Sequence, residues 1–477
     1  MNRCGVACAL MLLLAFQPGA PAQAGFPEAF KAYSEGHYEE ARAEFLELAQ
    51  LGSAASQFDM GAMELHGQGG PKDLGAAVGW LTAAADNGDT QLPPEKLAAV
   101  RATLSDEQLR TADDIVSRYG RAGLAKTTLP VPPPQAHCRN LTPARLVHTP
   151  EPDPEYYPRG GRLNDQNGFV IVQLIVGIDG EPRDPEILMA VPGPEFSAAA
   201  VDLWMRSRWT PASRDGAAVE SKVSVKAVFR LIGGGLLWDL PALKAIRETA
   251  LTGDPKAQYQ IGLAAMLDGS LGIPSSQALT LLVLAAQGGH PPAQYWVANR
   301  FMSVGDCGVE DKKLPWLRAA AHAGDGAAQL ALAESLISSQ PTPQQIAAAK
   351  ALLEQAAQSD NFYVMKHVAA LLATSSFEQL RDASTARAVA DRLMKDPIEA
   401  DPQKYEAAAA AYAMNRDFWL AAAKEQAAIK EATRLQWDTR RMQERFTLYH
   451  SSRSWAGDVF APPTAPPAGS AAASPTP

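Results

Sequence analysis

A repeat of about 35 residues constrains the fold of this chain more than any other sequence feature. Gln258, Gln294 and Gln329 lie 36 and 35 residues apart, and a small residue follows each of them after four positions. Four positions make one helical turn, so the small residue lies on the same helix face as the glutamine. A period of this length predicts one pair of helices per copy, stacked into a solenoid.

One more copy lies near the N terminus, where Gln57 is followed by Gly61 and Trp80. Residues 80–89 and 316–325 are closely similar in sequence. We expect the small residue to let two helix backbones approach, and the tryptophan to fill the groove of the neighbouring helix. Glycines near the end of each copy fit the left-handed cap of a helix. Side chains expected to cap helix N termini are those of Asp73 and Ser276.

These residues resemble the Sel-one-like repeat, a relative of the tetratricopeptide repeat. The fourth copy, from Ala328 to Gln358, lacks the glycine loop of the others. Residues 26–52 and 403–432 resemble tetratricopeptide-like hairpins at the two ends of the helical regions. The resemblance implies helical scaffolds that bind partner proteins, often in bacterial envelopes.

The middle of the chain has strand patterns instead. Residues 168–176 form an almost continuous apolar run, which is typical of a strand covered on both faces. We expect a second strand from about Pro182 to Val191, a helix from Phe196 to Arg208, and a last strand with alternating polarity from Val219 to Leu231. The pattern predicts a helix packed on a small antiparallel β-β-α-β sheet.

This segment resembles the carboxyl-terminal domain of TonB-type energy transducers. The matching positions are Tyr157-Pro158, Gly168, Val170, Val172, Asp179-Gly180, Ala199-Ala200, Trp209, Pro211-Ala212, Gly216 and Phe229. The resemblance implies a periplasmic domain that docks extended peptides of outer-membrane receptors or binds cell-wall components.

A last strand at the edge of a sheet offers unpaired backbone groups to an incoming strand. Tyr157 and Pro158 have an alternative interpretation, in which they only fix the path of the chain into the sheet. The candidate partner-binding residues are Tyr157, Lys222, Val223, Ser224, Val225, Lys226 and Val228.

The first 24 residues have the three parts of a secretory signal: a short basic start, an apolar run from Val6 to Phe16, and small residues before a cleavage site after Ala24. The alternative is an uncleaved anchor. The other expected boundaries follow the prolines and glycines of the chain. They are helical repeats at 25–126, a proline-rich linker at 127–137, the TonB-like domain at 138–232, helical repeats at 236–457 and a disordered Pro/Ala tail at 458–477.

Cleavage after Ala24 would leave Cys138 and Cys307 as the two cysteines of the mature chain. In an oxidising compartment they either form a disulfide or remain two free thiols. Their isolated positions do not have the paired spacing of a zinc site.

Composition and motifs exclude several classes of function. The net charge of −9 argues against a nucleic-acid-binding protein. The sequence contains no His-Glu-x-x-His pattern, no Gly-Lys-Ser phosphate loop and no Gly-x-Ser-x-Gly elbow. We therefore expect no catalytic residues, no cofactor and no metal site.

Together these patterns predict a mostly helical α+β protein of several domains, in which solenoid arms flank the small TonB-like domain. The favoured function is a periplasmic interaction scaffold of a Gram-negative envelope, without catalysis and not integral to the membrane once the signal is cleaved. Its expected partners are envelope proteins, such as outer-membrane receptors or components of the TonB system, or peptidoglycan. Two alternatives remain: a transducer or accessory in TonB-dependent outer-membrane transport, and a cell-wall-acting enzyme.

The chain departs from the transducer pattern in three respects. Its N-terminal segment has the features of a cleavable signal, its proline-rich linker is short, and more than two hundred residues follow the TonB-like segment. A cleaved chain without an anchor cannot pull on a receptor. These departures favour a binding module over an energy transducer.

Overall fold

The computed structural model describes residues 27–128, 140–149, 167–229, 241–302, 310–338 and 340–461. The predicted signal at 1–24, Tyr157, Cys138 and Cys307 lie outside these residues, so their predictions stay predictions. Within the predicted tail, residues 458–461 are described. Val459 is buried there and the carbonyl of Ala461 accepts from Nη1 of Arg441 at 2.9 Å, so these four residues belong to the folded chain.

The N-terminal segment is helical, as the repeat pattern predicts. Side-chain caps start several of its helices: Asp73 accepts from the N–H of Ala76 at 2.9 Å, and Ser105 forms a capping box with Gln108. The helices are α1 (Pro27–Ser34), α2 (Tyr38–Gln50), α3 (Ala54–His66), α4 (Leu74–Asp86), α5 (Pro94–Arg101), α6 (Asp106–Tyr119) and α7 (Arg121–Thr127).

The described residues of the middle segment, 140–149 and 167–229, form β-strands and one α-helix. Its elements are β1 (Leu141–Thr142), β2 (Arg145–His148), β3 (Gly168–Val176), β4 (Pro182–Val191), α8 (Ser197–Met205), β5 (Arg208–Thr210), β6 (Ala212–Arg214), β7 (Ala217–Val219) and β8 (Ser221–Phe229).

The remaining described elements are again helices. They are α9 (Pro241–Leu251), α10 (Pro255–Leu267), α11 (Ser275–Gln287), α12 (Pro291–Met302), α13 (Glu310–His322), α14 (Gly326–Ile337), α15 (Pro343–Ala356), α16 (Phe362–Thr374), α17 (Ala383–Leu393), α18 (Pro402–Met414), α19 (Phe418–Arg434) and α20 (Arg440–His450). The fold is therefore mostly α with a small β domain, as expected.

The elements form two compact units, and each unit combines two separate stretches of the chain. The first compact unit takes its residues from Met1–Arg139 and Gly235–Leu332, and the second from Asn140–Gly234 and Ala333–Pro477. The β segment is thus inserted between two stretches of helices that belong to the same unit.

In the first unit, hydrogen bonds join helices from the two sides of this insertion. The indole Nε1 of Trp316 donates to the carbonyl of Thr128 at 2.9 Å. Gln287 Nε2 donates to the carbonyl of Leu51 at 3.3 Å. The N-terminal repeat helices and the helices of the 241–332 stretch therefore pack as one body.

The repeated glutamine has a structural role that explains its spacing. Gln57, Gln294 and Gln329 are buried, and the Nε2 of each donates to an alanine carbonyl eight residues earlier, at 2.9, 3.1 and 3.0 Å. Each of these carbonyls lies in the last turn of the preceding helix and also accepts from the N–H of the glycine three residues later. The glutamine therefore fixes one helix to the end of the one before it.

The small residue four positions after the glutamine permits a close helix contact, as predicted. A Cβ added at Gly61 would lie 2.6 Å from Cγ of Leu81, and one added at Gly262 would lie 2.7 Å from Cγ of Leu282. Both distances are shorter than van der Waals contact. The two copies therefore pack with the same geometry at this position.

In the second unit, the main sheet has the order β4-β3-β8, with all pairs antiparallel. The helix α8 packs against this sheet, and the rings of Phe196 and Phe229 lie 5.3 Å apart. The predicted strands at 168–176 and 182–191 are confirmed, and the last strand covers Ser221–Phe229.

Three details differ from the sequence expectations. The helix α11 begins at Ser275 after Pro274, so Ser276 lies inside its first turn and is not a cap. The predicted helix at 196–208 ends at Met205, because Arg208 already pairs with β2. The short strands β1, β2 and β5–β7 were not predicted, since strands of two to four residues are too short to show a periodic pattern.

Gly262→Ala is expected to destabilise the first unit because the added methyl group overlaps Leu282. Overpacking costs about 1–3 kcal/mol, and the better helix propensity of alanine offsets about 1 kcal/mol of this. We expect a fall in Tm of a few degrees, measured by thermal unfolding. Gly269→Ala is the matched control, since nothing lies within 4 Å of its added Cβ. Equal Tm values for the two variants would contradict the close packing.

Candidate functional site

The strand β8, which holds most of the candidate partner-binding residues, lies at one edge of the main sheet. It pairs with β3 over its whole length, from Phe229 opposite Gly168 to Ser221 opposite Val176. No strand among the described residues pairs with its other side. Within the described ranges, β8 is therefore an edge strand, the position at which a further strand can add to a sheet.

The side chains of β8 alternate between the core and the surface. Val225, Ala227 and Phe229 are buried. Ser224 is exposed, and Lys222, Val223, Lys226 and Val228 are half-buried. Six of the seven candidate residues thus lie on this one strand. The seventh, Tyr157, is outside the described residues.

The opposite edge of the sheet, β4, is covered by helices of the same unit. A bulge in β4 opposite Leu174 places Asp184 in a left-handed conformation, with φ 56°. Its carboxylate is 6% exposed and lies 2.7 Å from Nζ of Lys366 on α16. Its backbone N–H donates to Oε1 of Gln403 on α18 at 3.2 Å. Strand addition at this edge is therefore blocked at Asp184.

Lys366 is the centre of a buried ionic cluster. Its ammonium group is fully buried and donates to Asp401 Oδ2 at 2.7 Å as well as pairing with Asp184. His367 Nε2 lies 2.7 Å from Asp184 Oδ1 on the other side, and its Nδ1 lies 4.0 Å from Glu334. Lys366 and His367 are therefore the cations that balance Asp184 and Asp401. Buried charges need such partners of opposite sign.

The ionic cluster shifts the pKa values of its members. Burial opposes ionisation of Asp184, but the charges of His367 and Lys366 hold its pKa below the ordinary value. Burial alone would lower the pKa values of Lys366 and His367, and the neighbouring aspartates raise both instead. Burial raises the pKa of Asp401, and Lys366 offsets this only in part. The cations of the cluster are thus held in their charged forms.

Other contacts join the β domain to the helices of the second unit. Arg434 on α19 pairs with Asp202 on α8 at 2.7 Å. The guanidinium of Arg208 donates to the carbonyl of Leu435. Arg183 on β4 lies over the indole ring of Trp437, with 5.4 Å between Cζ and the ring centroid. The sheet is therefore fixed to these helices at several points.

A second buried ionic group lies at Arg445 on α20. The Nε of Arg445 donates to Glu425 Oε1 at 2.9 Å, and an Nη donates to Glu406 Oε1. All three residues are buried. Burial lowers the pKa of Arg445 to about 10 and raises that of Glu425 well above its ordinary value. This group ties α18, α19 and α20 together.

These buried charges were not predicted from the sequence. Lys366 belongs to a helix of otherwise mostly apolar residues, Phe362–Thr374, and a lone lysine in such a helix is a sequence signal for a buried cation. Its partner Asp184 lies 182 residues earlier in the chain. Only the tertiary structure brings them together.

Within the described ranges, no group of three or more His, Cys, Asp and Glu side chains is arranged to hold a metal ion. No helix in the described part of the chain has both the length and the apolar character needed to cross a bilayer.

Comparison with protein families agrees with the architecture. Residues 153–231 match the Gram-negative bacterial TonB protein C-terminal domain. The chain carries a TonB carboxyl-terminal-like domain among Sel1 repeats. The Sel1 repeat matches at residues 54–89, 255–290 and 326–361. The last match covers the copy that lacks the glycine loop, so that copy remains recognisable without it.

No curated protein shows significant similarity to the chain. Both matched families are non-catalytic interaction modules, so they support a role in protein–protein interaction. The match to the TonB-like family also indicates a protein of the cell envelope.

Lys366→Met is expected to destabilise the second unit strongly, because it leaves Asp184 and Asp401 buried without their shared cation. Breaking a buried pair by removing one partner costs about 3–5 kcal/mol. Thermal unfolding followed by circular dichroism and calorimetry measures the loss. Lys430→Met is the matched control, since Lys430 is exposed and we expect a change within about 0.5 kcal/mol. Similar stability of the two variants would show that the ionic cluster does not hold the β4 edge.

The ionic cluster should make stability depend on pH in a defined direction. His367 has a raised pKa when folded, so its contribution is full below its ordinary pKa of 6.5 and is lost as pH rises through the folded pKa. Asp184 has a lowered pKa, so its contribution is present above 3.8 and lost as pH falls through the folded pKa.

His367→Gln should therefore lower the Tm more at about pH 5.5 than at about pH 9. Melting curves across this range measure the difference between wild type and variant. His450→Gln, at an exposed histidine, is the control and should change the Tm little. A pH-independent effect of His367→Gln would argue against a charged imidazole in the cluster.

Proposed function

We propose that this protein is a periplasmic interaction scaffold that docks an extended peptide of an envelope protein along the strand β8. The peptide adds as a further strand to the sheet, and its backbone supplies most of the affinity. The candidate contact residues are Lys222, Val223, Ser224, Val225, Lys226 and Val228, with Tyr157 near the edge. The proposal includes no catalysis by the chain itself.

The proposal rests on the difference between the two edges of the sheet. One edge is covered, and the other has no partner strand among the described residues. At β4, the contacts of Asp184 with Lys366 and Gln403 occupy the edge. At β8, the strand pairs only with β3 among the described residues. A docking peptide is thereby directed to a single strand with a defined register of alternating side chains.

The helical repeats suit a second partner. Repeat arrays of paired helices present extended binding surfaces, and their sequence families bind proteins. Export through the signal at 1–24 would bring both surfaces into the periplasm, where outer-membrane receptors, components of the TonB system and peptidoglycan are available. An anchored transducer remains the rival function, and it requires the N-terminal segment to stay attached.

Crosslinking in intact Gram-negative cells tests the β8 proposal. A photo-reactive amino acid at Ser224 projects from an exposed position of the edge strand, so it should not disturb the core. We expect a discrete crosslinked product that contains one envelope protein, identified by mass spectrometry. A product that contains peptidoglycan would support cell-wall binding in place of peptide docking.

The matched control carries the same photo-reactive group at Ser376, an exposed serine of the second unit outside the sheet. Equal products from both positions, or none from Ser224, would contradict docking at β8. Fractionation of the same cells separates the functions: a processed chain released with the periplasm fits the scaffold, and a full-length chain retained in membranes fits the transducer.

A further inference from the structure

A tryptophan of the second unit is almost fully exposed. Trp419 lies in the first turn of α19, and its exposed fraction is 81%. Tryptophan is highly buried on average in folded domains, since its large ring contributes strongly to the core. Packing within the described part of the second unit therefore does not explain this side chain.

Two arginines lie close to this tryptophan, in turns that follow helices. Arg416 precedes Trp419 by three residues, in the turn between α18 and α19, with φ 61°. Arg453 lies in the turn after α20. The carbonyl of Ala413 accepts from the N–H of Arg416 and from the hydroxyl of Ser454, both at 3.0 Å. The two turns therefore meet at the end of α18. We call Arg416, Trp419 and Arg453 the Trp419 patch.

Both arginines of the Trp419 patch are exposed, and neither forms an ion pair with a carboxylate among the described residues. The adjacent carboxylate of Asp417 caps the N terminus of α19 and pairs with Arg387 at 3.3 Å. The carboxylate of Asp382 caps the N terminus of α17. These acidic side chains are therefore engaged by helix ends and by another arginine, which leaves both guanidinium groups of the patch to an outside anion.

Cations at these positions also have a possible structural role. Arg416 and Arg453 follow the C termini of α18 and α20, where a positive charge stabilises the helix dipole. This role accounts for the two arginines but not for the exposed indole of Trp419 beside them. The two roles differ in what they affect, because a helix-dipole contact changes stability and a binding surface changes affinity.

The chemistry of the Trp419 patch fits the surface of an anionic bilayer. Guanidinium groups bind phosphate oxygens through paired N–H donors. Tryptophan is enriched at membrane–water interfaces, where its ring is apolar on one side and its N–H stays with the wet head groups. A bilayer surface accepts a projecting indole at any position, whereas a protein partner needs a pocket shaped for the ring.

We propose that the Trp419 patch attaches the second unit to the surface of a membrane that contains anionic phospholipid. The indole of Trp419 inserts at the level of the head groups, and Arg416 and Arg453 bind lipid phosphates. The net charge of −9 on the whole chain opposes such contact, so binding depends on this local group. The contact is peripheral and reversible. It uses no residue of β8, so it does not depend on the docking proposal.

Vesicle flotation tests the proposal directly. The purified protein lacks residues 1–24, because the apolar run from Val6 to Phe16 would itself bind lipid, and it keeps every described residue. We expect binding to vesicles of phosphatidylglycerol mixed with phosphatidylcholine, and little binding to phosphatidylcholine alone. Binding should weaken as the salt concentration rises, since exposed charges are screened.

Variants identify the residues that bind the vesicles. Trp419→Ala should weaken binding by about tenfold or more, the effect of losing the buried indole. Arg416→Gln and Arg453→Gln should each weaken it by about fivefold, the effect of removing one cation near an anionic surface. Val147→Ala and Arg145→Gln are the matched controls, since they remove an exposed apolar and an exposed cationic side chain on β2. Their binding should be unchanged.

Fluorescence quenching locates the indole in the bilayer. Lipids brominated in the acyl chain close to the head group should quench the part of the tryptophan emission that Trp419→Phe removes. The same lipids should leave the rest of the emission unchanged, because the remaining tryptophans do not enter the bilayer.

Four results would overturn the proposal. The first is equal vesicle binding by wild type and Trp419→Ala. The second is equal binding to vesicles with and without phosphatidylglycerol. The third is a lower Tm with unchanged affinity in Arg416→Gln and Arg453→Gln, which would leave the arginines with only the helix-dipole role. The fourth is binding of polyglutamate that requires Trp419 and is as tight as vesicle binding, which would point to an acidic protein partner.

Discussion

In the second unit, the buried cation Lys366 joins the sheet to the helices. Its ammonium group bonds Asp184 of the sheet and Asp401 at the start of α18, and all three side chains are buried. A charge in this position is tolerated only while its partners are present. The cluster therefore couples folding of the TonB-like domain to the helices 333–461, and it gives the sheet one covered edge.

The first unit is held by a different means, the repeated geometry of helix pairs. Gln57, Gln294 and Gln329 each bond the end of the preceding helix, and Gly61 and Gly262 let the next helix approach. Because each copy needs only its neighbour, the chain can leave the array after residue 128 and resume it at 241. Repeat arrays tolerate such an insertion since the contacts that close the gap, as between Trp316 and Thr128, are local to one pair of helices.

Helices and strands with a periodic pattern of apolar residues were predictable from the sequence. Very short strands and an isolated bulge were not. The apolar run at 168–176 and the strand from Pro182 to Val191 are observed with those bounds, because burial on a pleated sheet leaves a pattern in the sequence. Helix pairs and their glutamines were predictable for the same reason. The strands β1, β2 and β5–β7 escaped prediction because each has only two to four residues; β1 and β2 also pair with the distant strands β6 and β5. The bulge at Asp184 was not predictable either, since the role of this left-handed residue depends on its contact with the distant Lys366.

The sequence by itself determined the kinds of element and the families they belong to: a helical-pair array with a period near 35 residues, and a β-β-α-β sheet whose last strand alternates. These follow from the short-range regularity of helices and strands, which a linear pattern can carry. The tertiary structure decided which segments form one compact unit, which sheet edge is covered, and where the buried ionic groups at Lys366 and Arg445 form. Those features arise from contacts between residues tens to hundreds of positions apart, such as Asp184 with Lys366. Buried ion pairs are properties of such contacts, so no local pattern records them.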